Sequence, residues 1–460
     1  MSPKKINART NPAIRCVSTM ALRPAIWYNR TMNILLFLII ILAFIVVIGI
    51  LNEKFFHLQS DSALIMFSLI ISLILAIVNK VFPVQAITNF TKNIGEFGFE
   101  DYLMDGVLCF MLFAGSSKVN MGKFKQNLRP ICLLALLTTA VSAVVYGLLF
   151  YAVALLFKIP MDIWMCILLG CVVSPTDPIA ATGILSKIGL SKNVCSIIEN
   201  ESLFNDGTGV TLFVFVRSVV IHSGDDNFLL IMTREIVGAV AVALVVSFVL
   251  FQLMKITKEP VRYILISLLD VALVYVICEP LGFSGVIASV VCGMYYSYAM
   301  DKMERRVRVI DPKELYKDFW EIMESILNAI LFVMIGLYVF DIEISKFAAI
   351  VIPTAIIAMI VSRAAGVLAS IGLGGRKIPG NYNLQEYLIL MVWSALKGGL
   401  SLALAIQTEA FLAPEVYKIF INVTYVTVFF TVLVQGLTVK KIYFKLEDHK
   451  ALRLHNRSNL

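Results

Sequence analysis

Long uninterrupted apolar runs recur along nearly the whole chain, and they restrict its fold more than any other feature. One of them, over residues 34–51, reads "ILLFLIIILAFIVVIGIL". A run of about 18 or more apolar residues can cross the hydrocarbon core of a bilayer as a helix. Hydrophobic residues make up 59% of the 460 residues and charged residues 15%, whereas a soluble domain has about 25% charged residues. The sequence therefore predicts an all-α polytopic membrane protein.

The apolar runs predict about thirteen transmembrane helices. Their predicted ranges are 32–52, 63–79, 102–118, 129–157, 161–186, 195–221, 228–254, 263–279, 281–300, 315–340, 346–371, 384–407 and 415–438. Lysine and arginine are concentrated in the loops after the odd-numbered spans and in the C-terminal tail, and such loops face the cytoplasm. We therefore expect a multi-pass protein of the cell membrane with a cytoplasmic C-terminus.

Both ends differ in composition from the predicted membrane domain at 32–438. Residues 1–31 form a basic N-terminal extension with six basic residues, no acidic residues and three prolines. This composition is close to that of a targeting segment, but the prolines would disrupt an amphipathic helix. We favour an upstream extension of the reading frame, with Met32 as the start. Residues 439–460 are predicted to be a short basic cytoplasmic tail, too short to bury a core of its own.

Span 5 contains "SPTDPIAATGILSKIGL" at 174–190, where a membrane helix would have apolar residues. Pro175 and Pro178 lack a backbone N–H, and Pro178 also moves Asp177 away from helical geometry. We expect the helix to break around Thr176 and Asp177, where the freed backbone groups must line a cavity or meet another interrupted segment. A simple proline kink is the alternative. A carboxylate inside a membrane is costly, however, and is typical of a functional site.

Span 6 contains "NVCSIIENESLFNDGTGVTLFVFVRS" at 193–218, with Asp206 near its middle. Glu201 and Asn205 are four residues apart and share one helix face, and Ser202 and Asp206 share the adjacent face. Carboxylate, hydroxyl and amide groups, with unwound backbone carbonyls, supply the oxygens that a hard monovalent cation requires. In an alternative interpretation the span starts later and this run is a loop.

Span 12 contains a second break, in "MVWSALKGGLSLALAI" at 391–406. Lys397 is followed by Gly398 and Gly399, and a double glycine weakens a helix. Span 11 adds Arg363, another cation with no place in lipid. Interrupted segments in spans 5 and 12 fit two inverted six-helix repeats, spans 1–6 and 8–13, with span 7 as connector. Buried cations and carboxylates can neutralise one another only if these helices converge on a charged site.

The remaining reactive residues indicate no other chemistry. The eight cysteines are scattered singly, and the four histidines lie at segment ends or in the tail, namely His57, His222, His449 and His455. Neither a disulfide framework nor a zinc site is indicated. Since no span contains a nucleophile–base pair or a set of metal ligands, we predict that the chain is not an enzyme, has no cofactor and binds no nucleic acid.

Four motifs occur in order along the chain: "SPTDPIA", "ENESLFNDGTGV", "FWEIMESILNAILFVMIGL" at 319–337 and "WSALKGGLSLALA" at 393–405. Together they resemble the sodium/proton exchangers of the cation:proton antiporter-1 family, NhaP-like, over almost the whole membrane domain. The resemblance implies a thirteen-helix inverted-repeat fold with a core bundle, a dimerisation domain and crossing interrupted helices. It also implies a homodimer.

The resemblance further implies the ligands of the transported ions. Asp206 would bind the cation and the proton, and Asn205 would be its family-defining neighbour. Ser202 and the backbone near Thr176 would be further ligands of a sodium ion.

Other charged residues would have structural roles. The resemblance implies that Asp177 offsets the helix ends at the crossing and that Glu201 pairs with Arg363, in a charge network that includes Lys397. Two positions depart from the family pattern. Ala114 stands where many members have an acidic residue in span 3, so any ligand from that position is missing. Lys397 stands where arginine is usual, and a buried lysine can lose its proton whereas arginine cannot.

We therefore predict an electroneutral secondary antiporter that exchanges one cytoplasmic sodium or lithium ion for one proton, for sodium and pH homeostasis. Proton and cation would compete for Asp206, and the competition would enforce exchange. Rocking of the core bundle against the dimer domain would give alternating access. A potassium/proton antiporter on the same scaffold is one alternative, which an ion-dependence assay separates. A cation channel is another, and it would need a continuous pore and a flux without proton coupling.

Overall fold

The computed structural model describes residues 39–56, 60–81, 106–119, 121–177, 189–222, 228–257, 259–303, 312–338, 344–375 and 378–458. These residues are helical with short connections, and no strand occurs among them. The predicted basic extension at 1–31 lies outside the described residues. The chain divides into a unit at Met1–His57 and a unit at Leu58–Leu460. The first unit contains one described helix, α1, over Ile39–Phe56.

The second unit contains the other described helices. They are α2 Ser60–Val81, α3 Leu108–Ser117, α4 Met121–Gln126, α5 Leu128–Phe157, α6 Ile163–Val173, α7 Lys192–His222, α8 Phe228–Ile256, α9 Pro260–Cys278, α10 Gly285–Lys302, α11 Pro312–Tyr338, α12 Ala348–Leu373, α13 Leu384–Trp393, α14 Gly399–Gln407, α15 Pro414–Phe429 and α16 Gly436–Ser458. Wider π-helical turns occur inside α5, at Leu133–Thr138, and between α15 and α16, at Phe430–Gln435.

Seven helical segments of the described chain are long and apolar enough to cross a membrane. They are Ile39–Phe56, Leu128–Phe157, Lys192–Ile221, Thr233–Ile256, Pro260–Leu281, Ala348–Leu373 and Pro414–Ala451. Three shorter apolar helices, α3, α6 and α13, are too short to cross by themselves. Every predicted span contains helical residues. The number thirteen and the inverted repeats stay predictions.

The aromatic core of the second unit lies between α3, α8, α9, α10 and α11. Trp320 is fully buried, and its ring centroid is 4.5 Å from that of Phe113. The Trp320 indole N–H donates a hydrogen bond to the Ser267 hydroxyl at 3.0 Å. Tyr296 contacts Phe113 edge-on at 5.5 Å between centroids. This packing fixes α11 against α3, which matters for the site described below.

Small residues bring α5, α6 and α12 into close contact. A Cβ added to Gly170 of α6 would lie 2.1 Å from the carbonyl oxygen of Ala143 in α5. One added to Gly366 of α12 would lie 2.7 Å from the carbonyl oxygen of Thr138. The Thr138 hydroxyl donates a hydrogen bond to the Gly366 carbonyl at 3.1 Å. Close approach at small residues is typical of helix packing in membranes.

Both predicted helix breaks are present in the described residues of spans 5 and 12. Helix α6 ends at Val173, and residues 174–177 that follow are not helical. Helix α13 ends at Trp393, residues 394–398 are not helical, and α14 begins at Gly399. The backbone N–H of Asp177 donates to the carbonyl of Leu396 at 2.8 Å. This bond joins the two breaks, so the interrupted segments meet, as backbone freed inside a membrane must. The continuation of span 5 lies outside the described residues.

Two segments are more helical than the sequence indicated. Helix α7 is continuous over Lys192–His222, so the alternative that 193–206 is a loop is wrong. The region predicted as a basic tail is also helical, because α16 continues to Ser458.

Helix α16 packs on the segment before α13. The Tyr382 hydroxyl donates to the Glu447 carboxylate, and Arg453 forms an ion pair with Glu386 at 2.9 Å. Burial and the contact with Glu447 raise the pKa of the Tyr382 hydroxyl, so it remains a hydrogen-bond donor. These contacts explain why a chain end without a core of its own is ordered.

Candidate functional site

The crossing of the two breaks brings opposite charges to opposite helix ends. The Lys397 ammonium, which is buried, donates to the carbonyl of Ser174 at 2.9 Å, just past the C-terminal end of α6. A helix C-terminus carries a partial negative charge, and a cation there is stabilising. Asp177 lies at the start of α14, because a Cβ added to Gly398 would be 2.7 Å from its Oδ2 atom. A helix N-terminus favours a carboxylate for the same reason.

The π-helical turn holds the second break. The backbone N–H of Lys397 donates to the Thr431 hydroxyl at 3.1 Å. Thr431 lies in the turn Phe430–Gln435, between α15 and α16. A π-helical turn frees backbone and side-chain groups for contacts that a regular helix does not make, and such turns are frequent at functional sites.

Thr176 and Asn205 form a closed hydrogen-bonded pair at the first break. The Thr176 backbone N–H donates to Asn205 Oδ1 at 3.1 Å, and the Asn205 amide donates to Thr176 Oγ1 at 2.6 Å. The Thr176 hydroxyl also shares a hydrogen bond of 2.9 Å with the Ser202 hydroxyl. Thr176, Ser202 and Asn205 are all buried. The break in span 5 is therefore held directly against α7.

The Asn205 amide also contacts a buried ion pair, which is formed by Glu201 and Arg363. Arg363 of α12 donates from Nη1 and Nη2 to the two carboxylate oxygens of Glu201, at 2.8 and 2.9 Å. The same carboxylate accepts a hydrogen bond from the Asn205 amide at 3.1 Å. The side chains of Arg363 and Glu201 are 6% and 1% exposed. Two-fold contact between guanidinium and carboxylate fixes geometry as well as charge.

Asp206 differs from its neighbours in the contacts that its carboxylate makes with the described residues. Among the described residues it accepts no hydrogen bond and forms no ion pair. It lines a cavity of about 70 Å³ together with Thr176 and Asp177. A carboxylate facing such a cavity offers oxygens to a cation or a proton, whereas Asn205 beside it is fully engaged.

The structure thus brings all the predicted site residues together, although in two layers. Thr176, Asp177 and Asp206 line the cavity. Ser202 and Asn205 lie behind Thr176 and reach it through hydrogen bonds. Lys397, Glu201 and Arg363 form the surrounding charged contacts described above.

Helix α11 contributes cavity residues that the sequence analysis did not assign. Glu324 and Asn328 line the cavity, and so does Ser401 of α14. Glu324 also forms an ion pair with Lys118, the residue after α3. The available signal was a carboxylate and an amide four residues apart in the motif at 319–337, since that spacing places both on one helix face.

Comparisons with known proteins identify the family. A family model described as "Sodium/hydrogen exchanger, transmembrane" matches residues 95–445. The Na(+)/H(+) antiporter NhaP of Pseudomonas aeruginosa is 30% identical over 411 residues, which cover 85% of this chain and 93% of that protein. The low-affinity Na(+)/H(+) antiporter NhaS1 of Synechocystis sp. is 28% identical over 350 residues, covering 74% of this chain and 64% of that protein.

A solved structure has the same fold. The sodium proton antiporter MjNhaP1 from Methanocaldococcus jannaschii superposes with a TM-score of 0.70 and 15% identity, over 90% of this chain and 99% of that one. Fold and site together define a helical multi-pass membrane protein built around a buried, charged crossing of interrupted helices. The chain belongs to the sodium/hydrogen exchanger family.

Proposed function

We propose that this chain is a secondary antiporter that exchanges sodium, and also lithium, for protons at Asp206. The observation that carries the proposal is the Asp206 carboxylate, which lines a cavity and accepts no hydrogen bond from the described residues, whereas the adjacent Asn205 amide is hydrogen-bonded to Thr176 and Glu201. One carboxylate that accepts either a cation or a proton couples the two by competition. The names of the relatives, which are Na(+)/H(+) antiporters, support the same activity.

In this proposal Asp206 and the oxygens of Thr176 and Ser202 bind the sodium ion. Asn205 orients Thr176 and supplies no titratable group, because an amide neither takes up nor releases a proton in the working range. Asp177 and Lys397 stabilise the broken helix ends at the crossing.

The wider arrangement follows from alternating access. The helices around the crossing would move against the remaining membrane helices and expose Asp206 to either side. We propose a cell-membrane homodimer with a cytoplasmic C-terminus, working with a stoichiometry of one cation to one proton and so without net charge movement.

The test is a proteoliposome assay with an imposed proton gradient and a pH-sensitive dye inside. Sodium, lithium and potassium are added in turn, and we expect sodium and lithium to dissipate the gradient. Asp206→Asn should abolish the response while the protein remains folded and inserted. Asp318→Asn, which removes an exposed carboxylate from α11, is the matched control and should behave as wild type.

Three results would contradict the proposal. Exchange by Asp206→Asn at an appreciable fraction of the wild-type rate would remove Asp206 from its central role. A response to potassium alone would assign a potassium/proton antiporter. A cation flux that follows voltage without proton movement would indicate a channel.

A further inference from the structure

One face of α11 turns polar groups toward the Asp206 cavity. Glu324, Asn328 and Leu331 are separated by four and three residues, so they lie on one helix face, and all three line the cavity. Glu324 approaches α3 closely, since a Cβ added to Gly115 would lie 3.6 Å from its Oε1 atom. Glu324 and Asp206 therefore line the same cavity from two different helices, α11 and α7.

Two buried oxygens in this cavity have no partner. Among the described residues, Asn328 Oδ1 and the Ser401 hydroxyl make no hydrogen bond, although each residue is only 2% exposed. Both residues line the cavity. A buried polar atom without a partner is unfavourable and calls for a ligand or water that satisfies it. Together with the Glu324 carboxylate, these two atoms supply several oxygen ligands, which a hard monovalent cation requires.

The ammonium group of a partly exposed lysine is already paired with Glu324. The Lys118 ammonium forms an ion pair with the Glu324 carboxylate. The Lys118 side chain is 42% exposed and that of Glu324 is 12% exposed, so the pair joins the surface to the cavity. A lysine ammonium is a compact charge on a flexible stem. It can leave the carboxylate for water when another cation arrives, and the local net charge stays the same.

We propose that Glu324, Asn328 and Ser401 form a second station for the monovalent cation, in the same cavity as Asp206, and that Lys118 competes with the cation for Glu324. This inference rests on the proposed exchange and extends it. The cation would bind at the station and then pass to Asp206. The Lys118 ammonium would return to Glu324 once the cation has moved on.

The test is a sodium titration of the initial exchange rate in proteoliposomes at mildly alkaline pH, where protons compete least. Glu324→Gln should raise the half-saturating sodium concentration roughly ten- to a hundredfold, the effect of losing one contact to a charged group. The maximal rate at saturating sodium should change much less. Lys118→Gln should shift the half-saturating concentration in the opposite direction, because the competing ammonium is gone.

Matched variants separate this role from a structural one. Glu321→Gln removes a carboxylate one turn away, on an exposed position of the same helix, and should leave the titration unchanged. Glu324→Asp should recover part of the affinity, because it restores the carboxylate. Thermal unfolding in detergent identifies any variant that is merely destabilised.

Some outcomes would overturn the second station. An unchanged half-saturating concentration in Glu324→Gln is one. A loss of stability shared equally by Glu324→Gln and Lys118→Gln, with no opposite shift in sodium dependence, is another. If the wild-type protein exchanges sodium, either result contradicts only the second cation site. If the wild-type protein exchanges no cation, the proposed function itself is wrong.

Discussion

The buried pair of Glu201 and Arg363 is the most demanding single contact of the site. Each ion loses its hydration, and their mutual attraction offsets that loss only when the geometry is good and remaining hydrogen bonds are made. The two-fold contact at 2.8 and 2.9 Å and the bond from the Asn205 amide meet both conditions. Removing one partner leaves the other charge buried and uncompensated, so the two residues should depend on each other strongly.

We therefore expect either Glu201→Gln or Arg363→Met to lower the free energy of unfolding by about 3–5 kcal/mol. The double variant should recover part of that loss, since no lone charge remains. A double-mutant cycle by thermal unfolding measures the coupling.

The exposed pair of Arg262 and Glu259 is the matched control. Its atoms are 2.9 Å apart, but the side chains are 62% and 64% exposed, so its removal should change stability by no more than about 1 kcal/mol. Strictly additive losses at Glu201 and Arg363 would show that the two do not interact.

The helix breaks are features of this fold that can be predicted from the sequence. Pro175 and the double glycine Gly398 and Gly399 act locally on the backbone, so the position of each break follows from the residues themselves. A functional role for Asp206 can also be predicted from the sequence, because a charged residue inside an apolar span is costly and is usually functional.

The remaining features depend on distant packing. Trp320 packs α11 against α3 and so helps to place Glu324 at the cavity, and the four-residue spacing of Glu324 and Asn328 does not encode that contact between helices. The helical structure of the predicted tail likewise involves distant contacts, since α16 packs against Tyr382 and Glu386, far away in sequence.

At the level of the elements, the crossing tolerates little added volume. Gly398→Ala would place a methyl group 2.7 Å from Asp177 Oδ2 and 3.0 Å from its Cβ, so Asp177 must move from its position at the start of α14. We expect a loss of about 1–3 kcal/mol in stability and a large fall in the maximal exchange rate. Gly372→Ala, in α12 with nothing within 4 Å, is the control. Equal exchange rates for the two variants would show that the crossing is not tightly packed.

At the level of the whole molecule, the site determines whether transport moves net charge. Asn205 is an amide and takes up no proton, so of these two adjacent residues of α7 only Asp206 can alternate between proton and cation. Arg363 stays charged, since a guanidinium keeps its proton. Lys397 donates to the Ser174 carbonyl at a helix end that favours its positive form.

We therefore expect exchange without dependence on membrane potential. The measurement imposes a potassium–valinomycin potential on proteoliposomes, after potassium has been excluded as a substrate, and records the sodium-dependent pH change. Rates and end points should be the same at either sign of the potential. A rate that follows the potential would contradict one-for-one exchange and point to Lys397 as a second proton carrier, which Lys397→Arg would then abolish.

The last helical segment has a mechanical consequence. Pro414–Ala451 is a continuous helical rod of 38 residues, or about 57 Å at 1.5 Å per residue, against a hydrocarbon core of about 30 Å. The Thr431 hydroxyl accepts a hydrogen bond from the backbone at the crossing, and Arg453 lies roughly 30 Å further along the same helical axis, since α16 continues to Ser458. We therefore expect a tilt of this helix about Thr431 to be transmitted along its axis. A tilt of one or two degrees would displace the backbone at Arg453 by about 0.5–1 Å, and spin labels placed there and near Thr431 would measure the difference.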